Sequence, residues 1–140
     1  MTGAASSGPC PGSGSPDFAY CGGQLHCEQV AIADLVERFG SPLYVYSAAT
    51  MRDRVQRVRR AFGEQAHICY AVKANSNLSG LRLLHEQGCG FDLVSGGELE
   101  RLHAAELPTN QVVFAGVGKQ SWEVEAAVSA GLLFFNVESS

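Results

Sequence analysis

Four short apolar runs recur along this chain, each followed by a stretch of helical character, and that alternation limits the fold more than any other feature. The runs are Ile68-Cys69-Tyr70-Ala71-Val72, Phe91-Asp92-Leu93-Val94, Val112-Val113-Phe114 and Leu133-Phe134-Phe135-Asn136-Val137. Their centres lie about 20 to 25 residues apart, close to the minimum for a strand, a crossover helix and two short loops. The sheet is therefore expected to be parallel. None of the runs alternates apolar with polar residues, as expected of strands covered on both faces. Local signals agree, since Gly88 and Gly131 stand where helices should stop and Ser121 where one should start. In such folds the ligand lies beyond the carboxyl ends of the strands. Lys73, Ser95-Gly96-Gly97-Glu98, Gly116-Val117-Gly118-Lys119 and Glu138-Ser139-Ser140 stand there.

Lys73 closes the first run and opens the polar stretch Ala74-Asn75-Ser76-Asn77, which puts one amine at the mouth of a buried strand. Partial desolvation beside an apolar strand disfavours the ammonium, and the neutral amine is the form that attacks a carbonyl to make a Schiff base. The aldehyde of pyridoxal phosphate is the natural partner. The plainer reading is a strand-end lysine that snorkels into water.

The residues around that lysine carry a resemblance. Tyr70-Ala71-Val72-Lys73-Ala74-Asn75 resembles the pyridoxal-lysine motif of the alanine-racemase-like, fold type III enzymes. Gly90-Phe91-Asp92-Leu93-Val94-Ser95-Gly96-Gly97-Glu98-Leu99-Glu100 is similar to the second-strand signature of their decarboxylase branch. Val113 to Lys119, Phe135-Asn136-Val137-Glu138-Ser139 and the entry Phe39-Gly40-Ser41-Pro42-Leu43-Tyr44-Val45-Tyr46-Ser47 resemble diaminopimelate decarboxylases more than ornithine or arginine decarboxylases. The resemblance runs from about Phe18 to the last residue, and the strand-helix order fits the (β/α)8 barrel it implies.

The resemblance implies decarboxylation of meso-2,6-diaminopimelate to L-lysine and carbon dioxide. It makes pyridoxal phosphate the cofactor, Lys73 its Schiff-base lysine and Asp92 a carboxylate near that lysine. Asp92 has an equally good plain reading as a cap on a neighbouring loop. A barrel of this kind takes about 250 residues, and the family adds a β-rich second domain, so this chain of 140 residues reads as an amino-terminal fragment, inactive alone. The implied organisation is a tail over residues 1–17, a segment over 18–47 contributing a strand to the β-rich domain, and the first half of the barrel over 48–140. The family's glycine-rich phosphate loop, ring-stacking histidine and partner-subunit cysteine fall later in the chain, and a homodimer is implied. Two alternatives stay open: another fold type III decarboxylase acting on a related amino acid or polyamine precursor, and a non-catalytic relative that pairs with a true decarboxylase. The intact Lys73 counts against the second.

Composition excludes other classes. At 46% hydrophobic and 17% charged the chain is globular. Its net charge of −4 argues against a nucleic-acid binder, which needs clustered cations. The run Arg52, Arg54, Arg57, Arg59 and Arg60 shares its stretch with Met51, Val55, Val58 and Phe62 at helical spacing, so it reads as a solvated helix face. No stretch is apolar enough to span a membrane. Residues Met1 to Pro16 are rich in Gly, Ser and Pro, lack the pattern of a secretory signal, and read as a disordered tail. Five cysteines without a Cys-x-x-Cys pair suggest reduced thiols and a cytoplasmic protein. Cys21, His26 and Cys27 match no zinc spacing, so no metal is expected, and Cys69 and Cys89 read as small core residues.

Upstream, Gln24-Leu25-His26 after Gly22-Gly23 suggests a turn, Val30 to Phe39 a short helix stopped by Gly40, and Pro42 to Tyr46 a strand. Ser47 should cap the arginine-rich helix. Ser95, Gly96 and Gly97 could bring amides near a ligand, though a plain strand-to-helix turn explains them as well. Gly116-Val117-Gly118-Lys119 lacks the spacing of a phosphate loop, and that reading is rejected. His67, His85 and His103 are expected at the surface, and Glu138 is a weak candidate for a ligand contact.

Overall fold

The computed structural model describes residues 18–138, so the tail expected over residues 1–17, and Ser139 and Ser140, lie outside it. The chain divides into two compact units, Met1–Arg57 and Val58–Ser140, each described by itself.

In the first unit, β1 (Phe18–Cys21) and β2 (Gln24–Cys27) form an antiparallel hairpin with Cys21 opposite Gln24. The connecting Gly22 and Gly23 have φ of +57° and +83°, the pair of positive angles that a two-residue hairpin turn demands. Gln24-Leu25-His26, expected as a turn, is therefore strand, because the two glycines complete the reversal before it. β3 (Val30–Ala31) pairs with β2, and α1 (Ile32–Phe39) follows and stops at Gly40, whose amide donates to the Val36 carbonyl at 2.8 Å.

The strand expected over Pro42 to Tyr46 is not formed. The residue types suit a strand, but none of the described strands lies alongside to share a ladder. Tyr44 and Tyr46 are exposed. Cys21 is disulfide-bonded, against the expectation of five reduced thiols, while Cys27, Cys69 and Cys89 are free.

Ser47 caps α2 (Ala48–Phe62) as expected, its Oγ accepting from the Thr50 amide at 3.0 Å. Glu28, held at φ +55°, reinforces the cap by accepting from Ser47 Oγ at 2.8 Å and from the Ala49 amide at 2.9 Å. The arginines of α2 mostly face solvent, and Arg59 donates to the Gln87 carbonyl at 2.8 Å. Of its apolar stripe Val55 is buried, whereas Phe62 is exposed, so the stripe is covered only in part.

The second unit repeats strand and helix. β4 (Cys69–Ala71) runs through a 3-10 turn (Val72–Ala74) to α3 (Leu78–Glu86). Then come β5 (Gly90–Leu93), α4 (Gly96–Ala104), β6 (Val112–Phe114), α5 (Ser121–Ser129) and β7 (Phe134–Phe135). The four strands are parallel and lie in chain order, β4-β5-β6-β7, with Ala71 beside Asp92, Asp92 beside Val113 and Val113 beside Phe134.

One face of this sheet makes the core. Tyr70, Phe91, Leu93, Val112, Phe114 and Phe135 project from the strands against Leu81 of α3, Leu99 and Leu102 of α4 and Ala127 of α5. Phe91, Leu93, Leu102, Val112 and Phe114 are at most 1% exposed, and each buried side chain of this size contributes roughly 1.5–3 kcal/mol. All three helices thus lie on the same face, and the strand order never reverses. A doubly wound sheet would show a reversal and helices on both faces, so the unit is the first half of a (β/α)8 barrel. The expectation of strands covered on both faces holds fully for one face and only in part for the other, where Val113 is buried but Cys69 and Phe134 are exposed, because four strands do not close on themselves. Cys89 is buried as expected. Cys69 is exposed, contrary to expectation, because it sits at an odd position of β4 and faces the uncovered side.

Candidate active site at the strand carboxyl ends

Side chains alternate across a strand, so the register puts Cys69 and Ala71 of β4, Asp92 of β5, Val113 of β6 and Phe134 of β7 on the sheet face opposite the core. Lys73 follows two residues after Ala71, in the 3-10 turn that leaves the carboxyl end of β4. Val72, fully buried, roots this turn in the core. The loop behind it is tied at three points. Tyr70 donates its hydroxyl to the Asn75 carbonyl at 3.3 Å, Asn75 Oδ1 accepts from the Asn77 amide at 3.0 Å, and Asn77 Oδ1 caps α3 by accepting from the Ser79 and Gly80 amides. The sequence singled out Lys73, but not the tyrosine and asparagines that hold its loop. Lys73 itself is exposed, in contrast to the partial burial expected of it, because its side of the sheet is uncovered in the described residues.

Asp92 lies on the adjacent strand, opposite Ala71 and on the same face as it. Its Oδ1 is buried without a hydrogen-bond partner among the described residues, an arrangement that costs roughly 1–3 kcal/mol and calls for an explanation. Its charge reaches Cys69. Partial desolvation of the otherwise exposed sulfur, and second the Asp92 carboxylate, push the Cys69 thiol above its ordinary value.

The loop after β5 behaves as a strand-to-helix turn. The Val94 amide donates to Glu98 Oε2 at 2.7 Å, the Gly96 amide to Glu123 Oε1 at 2.7 Å, and the Glu98 amide to Ser95 Oγ at 3.4 Å. Carboxylates already occupy the start of α4. Gly96 is required by packing, since a Cβ there would sit 2.4 Å from the Trp122 ring. The Gly116 to Lys119 segment is no phosphate cradle either, because Lys119 spends its amine on the Gly116 and Asn136 carbonyls. Glu138 borders an open pocket of about 510 Å³ shared with Gly116, Lys119, Val124 and Phe135. His67 and His103 are exposed and His85 is half-buried.

Residues 48–140 match the model for the pyridoxal-binding domain of the pyridoxal-dependent decarboxylases. The chain belongs to the pyridoxal-dependent decarboxylase family. Within this family it is 51% identical over 118 residues to the diaminopimelate decarboxylase of Vibrio cholerae, covering 84% of this chain and 28% of that protein. It superposes on the crystal structure of diaminopimelate decarboxylase from M. jannaschii in co-complex with L-lysine with a TM-score of 0.81. That match has 34% identity and covers 90% of this chain and 31% of the other. A lysine/ornithine decarboxylase from Vibrio vulnificus, crystallised with cadaverine, matches with a TM-score of 0.73 at 25% identity, covering 78% and 30%. The chain spans about 30% of the length of the curated relatives it matches.

Proposed function

We propose that this chain is the cofactor-binding portion of a pyridoxal phosphate-dependent decarboxylase that converts meso-2,6-diaminopimelate to L-lysine and carbon dioxide. The observation that carries the reading is the placement of Lys73 and Asp92. An exposed amine leaves the carboxyl end of β4, and on the adjacent strand a carboxylate oxygen is buried with no partner among the described residues. These groups fit pyridoxal phosphate: a primary amine is the covalent anchor for its aldehyde, and an orphaned acceptor nearby is accounted for by a cationic or proton-bearing neighbour.

When bound, the cofactor supplies the electron sink for the charge left on the substrate carbon as carbon dioxide departs. The protein's part is to hold and to orient. Lys73 Nζ anchors the cofactor and moves protons at the reacting carbon. Asp92 favours the protonated state of a nearby amine. Tyr70, Asn75 and Asn77 keep the Lys73 loop in one conformation, so that the amine returns to the same place each turnover. The higher identity to diaminopimelate decarboxylases than to the lysine/ornithine enzyme supports the choice of substrate. The same reading takes a small amino acid as ligand, a second copy of the complete protein as partner and the cytoplasm as location. No helix among the described residues is long and apolar enough to cross a membrane.

The test offers the complete gene product, loaded with pyridoxal phosphate, meso-diaminopimelate, ornithine, arginine and lysine in turn while carbon dioxide is measured. Release from diaminopimelate with an equal amount of lysine is expected, with a loss of at least roughly a thousandfold in Lys73→Ala. Release from ornithine or arginine alone assigns the chain to another branch. No release from any substrate, with binding to a true decarboxylase intact in Lys73→Ala, makes it a non-catalytic partner.

A further inference from the structure

Lys119 and Glu123 stand four residues apart, and between them they bond four backbone groups beyond three consecutive strands. Lys119 Nζ donates to the Gly116 carbonyl at 2.6 Å and to the Asn136 carbonyl at 2.8 Å, just past β6 and β7, and lies 5.7 Å from the centre of the Phe114 ring. Glu123 accepts from the Gly96 amide just past β5 at 2.7 Å and from the Gln120 amide at 2.8 Å. The two loops it joins touch, since a Cβ on Gly116 would lie 3.3 Å from Val94 Cβ. The Lys119 charge also helps, after the two backbone hydrogen bonds, to hold the Glu123 carboxyl below its ordinary value. The strands themselves are short, with β6 three residues long and β7 two, so few ladder bonds oppose splaying at their carboxyl ends. Hydrogen bonds from charged groups are roughly twice as strong as neutral ones, which makes these four bonds a large share of what fixes the rim.

We infer that Lys119 and Glu123 form one clasp across the carboxyl ends of β5, β6 and β7, and that they are positioning residues for the Asp92 side of the cofactor site. The second half of this statement rests on the proposed function; the clasp does not. Neither residue touches Asp92. Their effect passes through the backbone from Gly96 back along Ser95, Val94 and Leu93 to β5. Small displacements at such a rim carry large rate penalties when the reacting groups stand on it. Glu123 thereby takes the first amide of α4 and the amide that precedes α5, which makes both helix starts part of the same rim support.

The experiment compares the complete gene product with its Glu123→Gln, Lys119→Met and doubly substituted forms by amide hydrogen exchange without cofactor and by absorbance titration with pyridoxal phosphate. Each single substitution is expected to speed exchange in both loops, 94–97 and 116–118, including the loop it does not bond, and to raise the cofactor dissociation constant roughly tenfold. The double form should be little worse than either single one, as for residues acting as a unit. Lys119→Arg, which keeps charge and donors, should keep both loops protected. Exchange changes confined to the substituted residue's own loop, or losses that simply add in the double form, overturn the inference. A parent protein that takes no cofactor would instead sink the proposed function, while the exchange measurement still decides the clasp.

Discussion

Asp92 holds a buried oxygen that the described residues do not satisfy, on the strand next to the one that leads into the Lys73 turn. Asp92→Ala should therefore raise the melting temperature of the cofactor-free protein, by the equivalent of about 1 kcal/mol, while weakening cofactor binding. Calorimetry with and without pyridoxal phosphate checks both signs, and a lower melting temperature in the cofactor-free form would remove the argument for Asp92. Lys73→Ala, by contrast, should leave cofactor-free stability within about 0.5 kcal/mol, since the side chain is exposed and its loop is held by other residues. Gly96→Ala is expected to cost about 1–3 kcal/mol because its methyl would overlap the Trp122 ring, and denaturant unfolding would show it.

The start of α2 depends on one ionisable group. Glu28 accepts from the Ala49 amide and the Ser47 hydroxyl, and these bonds hold its carboxyl below the ordinary glutamate value. A depressed folded value means that the unfolded chain binds the proton first as pH falls. The stabilisation is complete above about pH 4.3, the unfolded value, and is lost as pH drops toward the folded one. Glu28→Gln should flatten the acid limb of the stability profile, and Ser47→Ala should cost about 1 kcal/mol at neutral pH. A parent and Glu28→Gln profile that coincide from pH 6 to pH 3 would rule out this cap as a source of acid sensitivity. Of such elements the sequence reveals some and conceals others. The barrel strands were legible because their apolar runs are dense and their spacing regular, and the positions of Lys73 and Asp92 in the fold followed from the same runs, one at the end of the first and one inside the next. The Pro42 to Tyr46 segment was misread because residue type reports strand propensity but not the presence of a neighbour. Glu28 and Glu123 gave no signal, and Lys119 was weighed only for a phosphate loop, since a charged residue beside a helix start looks the same whether it faces water or gathers distant backbone groups.

At the scale of the molecule, the second unit presents four strands whose outer two, β4 and β7, have no further neighbour among the described residues. Around β7 and α5, Val117, Val128, Leu133, Phe134 and Val137 are all at least half exposed. An unpaired edge beside an apolar surface is a template for association. Residues 1–140 expressed alone should lack decarboxylase activity and form concentration-dependent oligomers in sedimentation, and a monodisperse monomer with turnover would contradict both statements. The uncovered face has one more consequence, through Cys69. A free thiol standing beside Asp92 is a chemical clock for enclosure: an alkylating reagent should modify it in the isolated segment, slowly at neutral pH because the raised thiol leaves little thiolate, and faster as pH climbs. When the complete polypeptide folds, the moment at which this sulfur stops reacting marks the moment the interior of the barrel is sealed.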